Sequence, residues 1–413
     1  MQRIILHCDL NSFYASVECL YRPEIRALPV VVCGNIEKRH GIILAKNEVA
    51  KKYKIQTGEP LWQAKQKCPS LVAIEPSMGK YMKFSKAARE IYLRYTGRVE
   101  AFGVDECWLD VTDSTRLFGS GEKLAYTIKD TIQQELGITA SVGVADNKIF
   151  AKLGSDMKKP NAVTVITPEN YKQKVWTLPA TDLLYVGRST GQKLRKIGLH
   201  TIGQLACAEK HVLRGLLGKW GETLWTFANG EDVSPVLTLN HEVHVKSIGN
   251  SMTTACDLKN IEDVKIVFYV LAESVAERLR HATLVGKTVQ ITIRGTDLCL
   301  IERQGKLTCP TSLASDIASK ALEIFKGQWA WHNDVRALGV RVTDLMAETD
   351  HGQLCFLQEE AQRARRQVLE HTMDAVRGRY GHYAIQRALH LAKPILKANP
   401  IDEHVVYPVS FFR

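Results

Sequence analysis

The chain of 413 residues predicts a multidomain α/β (α+β) protein: a ferredoxin-like sheet with a long insertion, then a helical segment, then a second two-layer α/β module. Three observations carry this. Strand and helix signals alternate through residues 1–168, short helical pieces replace them over 169–235, and the alternation returns over 240–346 before a tail at 347–413.

The first elements are the strand RIILHC, a helix from Lys80 to Tyr95, the strands VEAFGV and CWLDVT, a helix from Glu122 to Glu135 and the strand TASVGVA. In such a βαββαβ unit a helical crossover makes the first two strands parallel, and the third lies between them, antiparallel to both. The turn between the second and third strands then lies beside the C-terminal end of the first. Asp9 is at that end, and Asp105 and Glu106 are at that turn. The stretch at about 11–76 is too long for a simple connection and has its own apolar runs, PVVVCG and GIILA, so it reads as an inserted subdomain.

Adjacent carboxylates in an apolar, strand-like stretch repel each other and resist burial, so a cation is the expected reason for Asp105 and Glu106. Their oxygens are hard ligands suited to Mg²⁺. Two such ions about 4 Å apart support phosphoryl transfer, activating a hydroxyl and stabilising the leaving pyrophosphate. KLGSDMKKPN supplies phosphate-directed cations in Lys152, Lys158 and Lys159. Each charge pair alone reads as a solvated turn. Their convergence with Asp9 favours the metal site.

Composition narrows the partners. Hydrophobic residues make up 45%, charged residues 24%, and no apolar run reaches the length of a membrane span, so a globular cytoplasmic protein is expected, with no leader ahead of the first strand. Ten cysteines without CxxC pairs or zinc spacing read as small core residues rather than disulfides or a zinc site. A net charge of +11 calls for an anionic partner, either nucleic acid or a membrane surface, and the placement of the charge decides.

In LPATDLLYVGRSTGQKLRKIGLHTIGQLA, two short helical pieces flank Gly187, and Lys193, Arg195 and Lys196 follow with no acid between them, then Gly198. This is the pattern of a helix-hairpin-helix, whose glycines let backbone N–H groups approach a DNA phosphate while basic side chains add sequence-independent charge. Tyr185 stands where a hairpin glycine is common, and a plain helical turn with a solvated basic face is the competing reading. The second module reads as a strand around VKSIGN, a helix from Ile261 to Arg280, strands VQITIR and CLIER, a helix near Ser312 to Phe325 and the strand VRALGVRV. Val289, Ile291 and Ile293 alternate with Thr288, Gln290, Thr292 and Arg294, giving one core face and one hydrogen-bonding or basic face. Lys246 and Arg341 extend that face, which lacks an aromatic platform and so suits a duplex backbone better than stacked single-stranded bases; Glu302 interrupts it. A merely solvent-facing sheet is the alternative.

DLNSFYASVE after a first strand, then FGVDECWLD, SVGVADNKIFAKLGSDMKKPN and VKSIGNSM, resemble in order the signatures of Y-family DNA polymerases, the bacterial polymerase IV type most closely, over roughly residues 1 to 345. The resemblance names the parts: a palm with inserted fingers, a thumb and a little finger. It implies that Asp9, Asp105 and Glu106 bind metal with the carbonyl of Leu10, that Lys159 contacts the incoming triphosphate, and that Tyr14 is the steric gate against a ribose 2′-hydroxyl. Without the motif, Tyr14 reads as a core aromatic. The Gly41–Ala45 run matches the roof over the nascent base pair, with Leu44 and Ala45 as its apolar surface. The chain departs from the pattern at Asn11, where many relatives have aspartate, and at Glu48 and Lys51, where relatives often carry a triphosphate-binding tyrosine and arginine. Lys51 offers a point charge without a bidentate fork, and Glu48 is no phosphate donor. QLCFL resembles the glutamine-led peptide by which bacterial polymerases dock into a sliding clamp, Gln353 leading and Leu354, Phe356 and Leu357 filling an apolar pocket; the alternative is that these residues begin the packing of the tail.

The reading is therefore a DNA-directed DNA polymerase of the translesion type, error-prone and without proofreading. It would be a monomer using two Mg²⁺ ions, primer-template DNA, deoxynucleoside triphosphates and a sliding clamp. A nucleotide cyclase can share the sheet and metal pair but leaves the basic hairpin and second module unexplained. A catalytically silent DNA-binding scaffold leaves the three intact acids unexplained.

Overall fold

A computed structural model describes residues 3–35, 39, 41–239, 241, 245–348 and 360–399. Its contacts divide the chain into two units, one of residues 3–34 and 42–241, the other of 245–348 and 360–399 with Asn35, Arg39 and Gly41.

Strand β1 (Ile5–Leu10) is buried along its whole length, which requires cover on both faces. Helix α1 (Phe13–Tyr21) leads from it into a small three-stranded sheet of β2 (Val30–Cys33), β3 (Ile43–Lys46) and β4 (Val72–Ile74), ordered β3-β2-β4, with the short helices α2 (Glu48–Lys52) and α3 (Leu61–Lys67) between its strands. The inserted apolar runs thus become the strands β2 and β3. Asn47 anchors this piece, its side chain accepting from Ala50 N at the start of α2 and from Val30 N.

Helix α4 (Met78–Leu93), β5 (Val99–Ala101), β6 (Glu106–Asp110), α5 (Thr115–Phe118), α6 (Gly121–Leu136), β7 (Ala140–Ala145), α7 (Lys148–Met157) and β8 (Val163–Val165) complete the main sheet, ordered β5-β6-β1-β7-β8. The expected interleaving holds: β6 lies between β5 and β1, antiparallel to both, and β8 adds a fifth strand parallel to β7. Helices α4 and α6 bury Tyr81, Ile91, Leu124 and Ile128 in a core shared with β1. Helix α7 packs closely on β7, where Gly143 is required because a Cβ there would lie 1.8 Å from the Ala151 carbonyl oxygen.

Five short helices follow: α8 (Tyr171–Val175), α9 (Arg188–Lys196), α10 (Ile202–Cys207), α11 (Lys210–Leu217) and α12 (Lys219–Ala228). Individually they are too short to be stable. They persist through a shared core that includes Leu194, Leu205, Leu213 and Leu224, and through a Thr201–Gln204 capping box on α10.

The second unit repeats the βαββαβ order with β9 (Ser247–Leu258), α13 (Ile261–His281), β10 (Leu284–Gly295), β11 (Leu300–Thr311), α14 (Ala314–Gln328) and β12 (Val335–Ala347), its antiparallel sheet ordered β11-β10-β12-β9. One face packs on α13 and α14 through Val289, Ile291, Ile293, Phe268 and Phe325. On the other face Arg341 pairs across the strands with Gln290 and Gly249, and Gly339 with Thr292 and Ser251. Thr288 corrects the expected polar face: it is buried, donating its hydroxyl to Asp344 at 2.6 Å where the register of β10 shifts between Gly286 and Thr288.

Helix α15 (Glu360–Tyr380) and the turns after it pack on α13 through buried ion pairs. Arg280 Nη1 lies 2.7 Å from Glu370 and Arg280 Nε 2.6 Å from Asp374, while Arg377 Nη2 and Arg387 Nε reach the two oxygens of Glu273 at 2.8 and 2.6 Å. Among the described residues, eight cysteines are free thiols, five of them buried. Among the described residues no helix is long and apolar enough to cross a membrane.

Candidate active site

Sheet register brings the three acids together. Asp9 stands directly opposite Glu106 across β1 and β6, and the Leu10 N–H donates to the Asp105 carbonyl at 3.0 Å, fixing the turn against the end of β1. Asp9 is 5% exposed, and burial with Glu106 beside it pushes its carboxyl up to about 8; burial and the same neighbour push Asp105 up to about 6. This is stored repulsion that a cation would relieve.

Two lysines from α7 and the turn after it meet that charge. Lys159 Nζ lies 2.6 Å from Asp9 and 2.7 Å from Asp156, and Lys152 Nζ lies 2.8 Å from Glu106 and 3.5 Å from Asp156. Burial pulls each ammonium down, but Asp9 and Asp156 hold Lys159 above its ordinary range, and Glu106 and Asp156 do the same for Lys152. Both stay charged. Lys158 is exposed and forms no ion pair among the described residues.

His7 and Asp156 were not among the expected site residues, yet both belong to this cluster. His7 accompanies Asp9 on one face of β1, as period-two alternation requires. Its Nδ1 shares a hydrogen bond of 2.8 Å with Ser155, while Nε2 is buried 4.0 Å from Glu106 without a hydrogen-bond partner. Burial, with Lys152 and Lys159 nearby, pulls its pKa well below the usual value and keeps the ring neutral. Asp156 sits one turn along α7 from Lys152, a spacing readable in the sequence.

No three acid, histidine or cysteine side chains among the described residues converge closely enough to chelate one ion. The donor set nevertheless fits a hard divalent cation: carboxylate oxygens from two adjacent strand ends, carrying repulsive charge and already matched by ammonium groups at 2.6 and 2.8 Å. Asn11 is used otherwise. It is buried, donating to Ser141 Oγ at 2.9 Å and accepting from the Asn161 N–H at 2.8 Å, which ties the segment after Lys159 to β1.

Tyr14 is half-buried on α1, its ring stacked 4.2 Å from that of Tyr81 at 13°. Tyr81 is held in turn by its hydroxyl donating to the buried Glu18 at 2.9 Å. Burial, then Asp105, pushes the Tyr14 phenol up to about 12. In β3, Leu44 is 43% exposed, whereas Ala45 packs against the core around α1; the residue sharing the open face is Ile42, 41% exposed. Alternation along the strand explains the difference. Lys51 is paired with Glu48 at 2.5 Å, and Ser12 donates to the same carboxylate at 3.0 Å. A cleft of about 190 Å³ beside Ser12, Arg26 and Glu48 is lined by none of the three acids.

Lys193, Arg195 and Lys196 are exposed on α9, which begins at Gly187; Arg294, Arg341 and Lys246 are exposed on the second unit. Gln353, Leu354, Phe356 and Leu357 lie outside the described residues.

The chain matches known family models, relatives and a solved structure. Residues 8–156 match the impB/mucB/samB family, residues 245–355 that family's C-terminal domain, and residues 181–232 a thumb domain described for DNA polymerase-iota. Relatives named DNA polymerase IV include one from Acetivibrio thermocellus, 56% identical over 94% of this chain and 98% of its own length. DNA polymerase IV 1 of Bacillus subtilis is 36% identical over 95% of this chain and 94% of its own length. A solved Y-family DNA polymerase chimera shares the fold with a TM-score of 0.74 at 23% identity, covering 83% of this chain and 99% of that one. With the acid cluster at the strand ends, the thumb match and full-length relatives in agreement, the chain belongs to the impB/mucB/samB family of Y-family DNA polymerases.

Proposed function

We propose that this polymerase performs error-prone translesion synthesis without proofreading, with nucleotidyl transfer centred on Asp9, Asp105 and Glu106 and two Mg²⁺ ions. As a family member the chain is a DNA-directed DNA polymerase. The single observation that supports the site is the direct pairing of Asp9 with Glu106, with Asp105 hydrogen-bonded through its carbonyl to Leu10. Bound Mg²⁺ would activate the primer 3′-hydroxyl and neutralise the leaving pyrophosphate. The protein's own residues do the rest. Asp9, Asp105, Glu106 and the Leu10 carbonyl would hold the ions. Lys159, now paired with Asp9 at 2.6 Å, would offer its ammonium to the triphosphate. Tyr14, braced by Tyr81, would lie beneath the sugar. Leu44, with Ile42 rather than Ala45 beside it, would face the nascent base pair. Lys51 contributes little to the triphosphate while Glu48 holds it.

In this reading residues 1–168 form the palm with fingers at about 11–76, 169–235 the thumb, 240–346 the little finger and 347–413 the tail. The enzyme would be a cytoplasmic monomer that docks on a sliding clamp through Gln353, Leu354, Phe356 and Leu357. Primer extension by the purified chain with Mg²⁺, on undamaged and lesion-bearing templates, tests the function. No extension on either template returns the chain to the scaffold reading; extension on undamaged template alone removes the translesion claim.

Two further results are expected. Tyr14→Ala raises the ribonucleotide-to-deoxynucleotide incorporation ratio by removing a clash rather than adding a contact. An unchanged ratio makes Tyr14 a core aromatic only. Duplex binding is salt-dependent and nearly indifferent to sequence, through Gly187, Lys193, Arg195 and Lys196 on the thumb and Lys246, Arg294 and Arg341 on the little finger. Replacing Lys193, Arg195 and Lys196 together should weaken all duplexes alike and flatten the salt slope, measured on two unrelated sequences. A preserved slope removes the hairpin from the DNA contact.

A further inference from the structure

Three aromatic rings meet at the surface beside the Gly187 hairpin. Tyr185 stands edge-on to Trp220, with centroids 5.5 Å apart at 71°, and lies 6.3 Å from Phe227; Trp220 and Phe227 are 6.4 Å apart at 86°. Phe227 is half-buried beneath, but Tyr185 is 50% exposed and Trp220 41% exposed. Tyr185 also has φ of +69°, in the left-handed region where glycine sits without strain and a tyrosine does not. Half of the Tyr185 side chain nevertheless faces solvent, beside Trp220, at a position whose backbone favours glycine. An exposed aromatic kept at such a position is a candidate for function.

The surroundings select that contact. Gly187 is two residues on and begins α9 without a side-chain cap; a Cβ there would meet nothing within 4 Å, so the backbone is open to approach. Arg188, Lys193, Arg195, Lys196 and Lys219 are all exposed on α9 and α12, and α9 has no acid. Glu222, the acid of α12, is paired with Arg214 at 3.0 Å. An apolar edge set among cations that form no ion pair among the described residues complements a polymer that alternates anionic groups with apolar faces. The sugar-phosphate backbone of duplex DNA has this character, since each phosphate is flanked by deoxyribose C–H faces.

We propose that Tyr185 and Trp220 form a sugar-binding edge of the thumb, packing on a deoxyribose of the duplex strand whose neighbouring phosphate lies at Gly187. The proposal rests on the reading of the hairpin as a DNA contact. It adds an apolar, salt-independent component to a grip otherwise built from charge. It also gives a reason for tyrosine at a position whose backbone conformation favours glycine.

The test uses the full chain and primer-template duplex, with the dissociation constant measured at several salt concentrations and the melting midpoint measured in parallel. Tyr185→Gly should weaken binding roughly five- to tenfold at every salt, the scale of one aromatic contact. The slope of log K against log salt should not change, because no cation is lost. The midpoint should not fall, because glycine relieves the left-handed backbone. Trp220→Ala should weaken binding to a similar extent, and the double variant should be little worse than either single one, since both rings serve one contact. Unchanged affinity in both single variants overturns the proposal and leaves the rings as thumb packing or a surface for another protein. So does a loss of affinity seen only where the midpoint also falls. The triple lysine and arginine variant keeps the two readings apart: if it flattens the slope while Tyr185→Gly has no effect, the hairpin grips phosphate and the sugar edge alone is wrong.

Discussion

Replacing Asp105 or Glu106 with alanine is expected to lower nucleotide incorporation by at least about a thousandfold, the scale of losing several kcal/mol of transition-state charge stabilisation. Primer-template affinity should stay close to that of the parent, because in the proposed reading it comes mainly from phosphate contacts on the thumb and little finger. The physical basis is that Asp9, Asp105 and Glu106 share one turn at the end of β1. Stability provides an independent control. Burial and Glu106 raise Asp105 from the usual carboxylate range to about 6, so its ionisation opposes folding. That penalty is absent below the unfolded-state pKa, grows as pH rises towards about 6 and is fully present above it. Asp105→Ala in metal-free buffer should therefore melt no lower than the parent at pH 7.5 while being catalytically silent. Wild-type extension by either variant would remove these acids from the chemistry, and a collapsed melting curve would make the loss one of folding.

The second large effect concerns stability. Arg280→Met should cost the second unit about 3–5 kcal/mol, because it leaves buried carboxylates without their cation. Arg280 Nε and Nη2 bind both oxygens of Asp374 at 2.6 and 2.9 Å, and Nη1 binds Glu370 at 2.7 Å and the Ser312 carbonyl at 2.8 Å. Glu370 is 4% exposed, so solvent cannot replace the guanidinium. Arg387 still reaches Glu370 at 3.0 Å and Ala314 N still donates to it, which keeps the loss towards the lower end of that range. Denaturant unfolding of the parent and variant measures it. A loss below about 1 kcal/mol would mean that the tail helix is held by its apolar contacts instead. Adding Glu370→Gln to Arg280→Met should recover part of the loss, since one buried charge goes with its partner.

Much of the first unit was readable in advance because its signals are local. Period-two runs marked the strands and helical stretches marked α4 and α6. The crossover connection and the antiparallel third strand then brought Asp9 beside Asp105 and Glu106 without any contact information. The same alternation could have shown that Ile42 shares the open face with Leu44 while Ala45 turns inward. Thr288 defeated the pattern because Asp344 on β12, whose backbone is left-handed at φ +53°, accepts its hydroxyl, a long-range partner that leaves no signature at Thr288. His7 and Asp156 lie within the quoted stretches RIILHC and KLGSDMKKPN, but their place in the cluster emerged only once α7 lay against β1.

By itself the sequence determined the chemistry available: three hard oxygen donors at strand ends, lysines after them, a basic hairpin and a sheet with one polar face. Residue type and short-range periodicity decide these properties, and neither depends on the rest of the chain. Only the tertiary structure decided which cation meets which acid, and which charges leave water. Lys159 reaches Asp9 across 150 positions, Lys152 reaches Glu106 across 46, and Arg280 reaches Glu370 across 90. At such separations the pairing is set by packing of elements that carry no mark of one another, and burial then turns ordinary surface charges into a primed site at one end of the chain and a structural lock at the other.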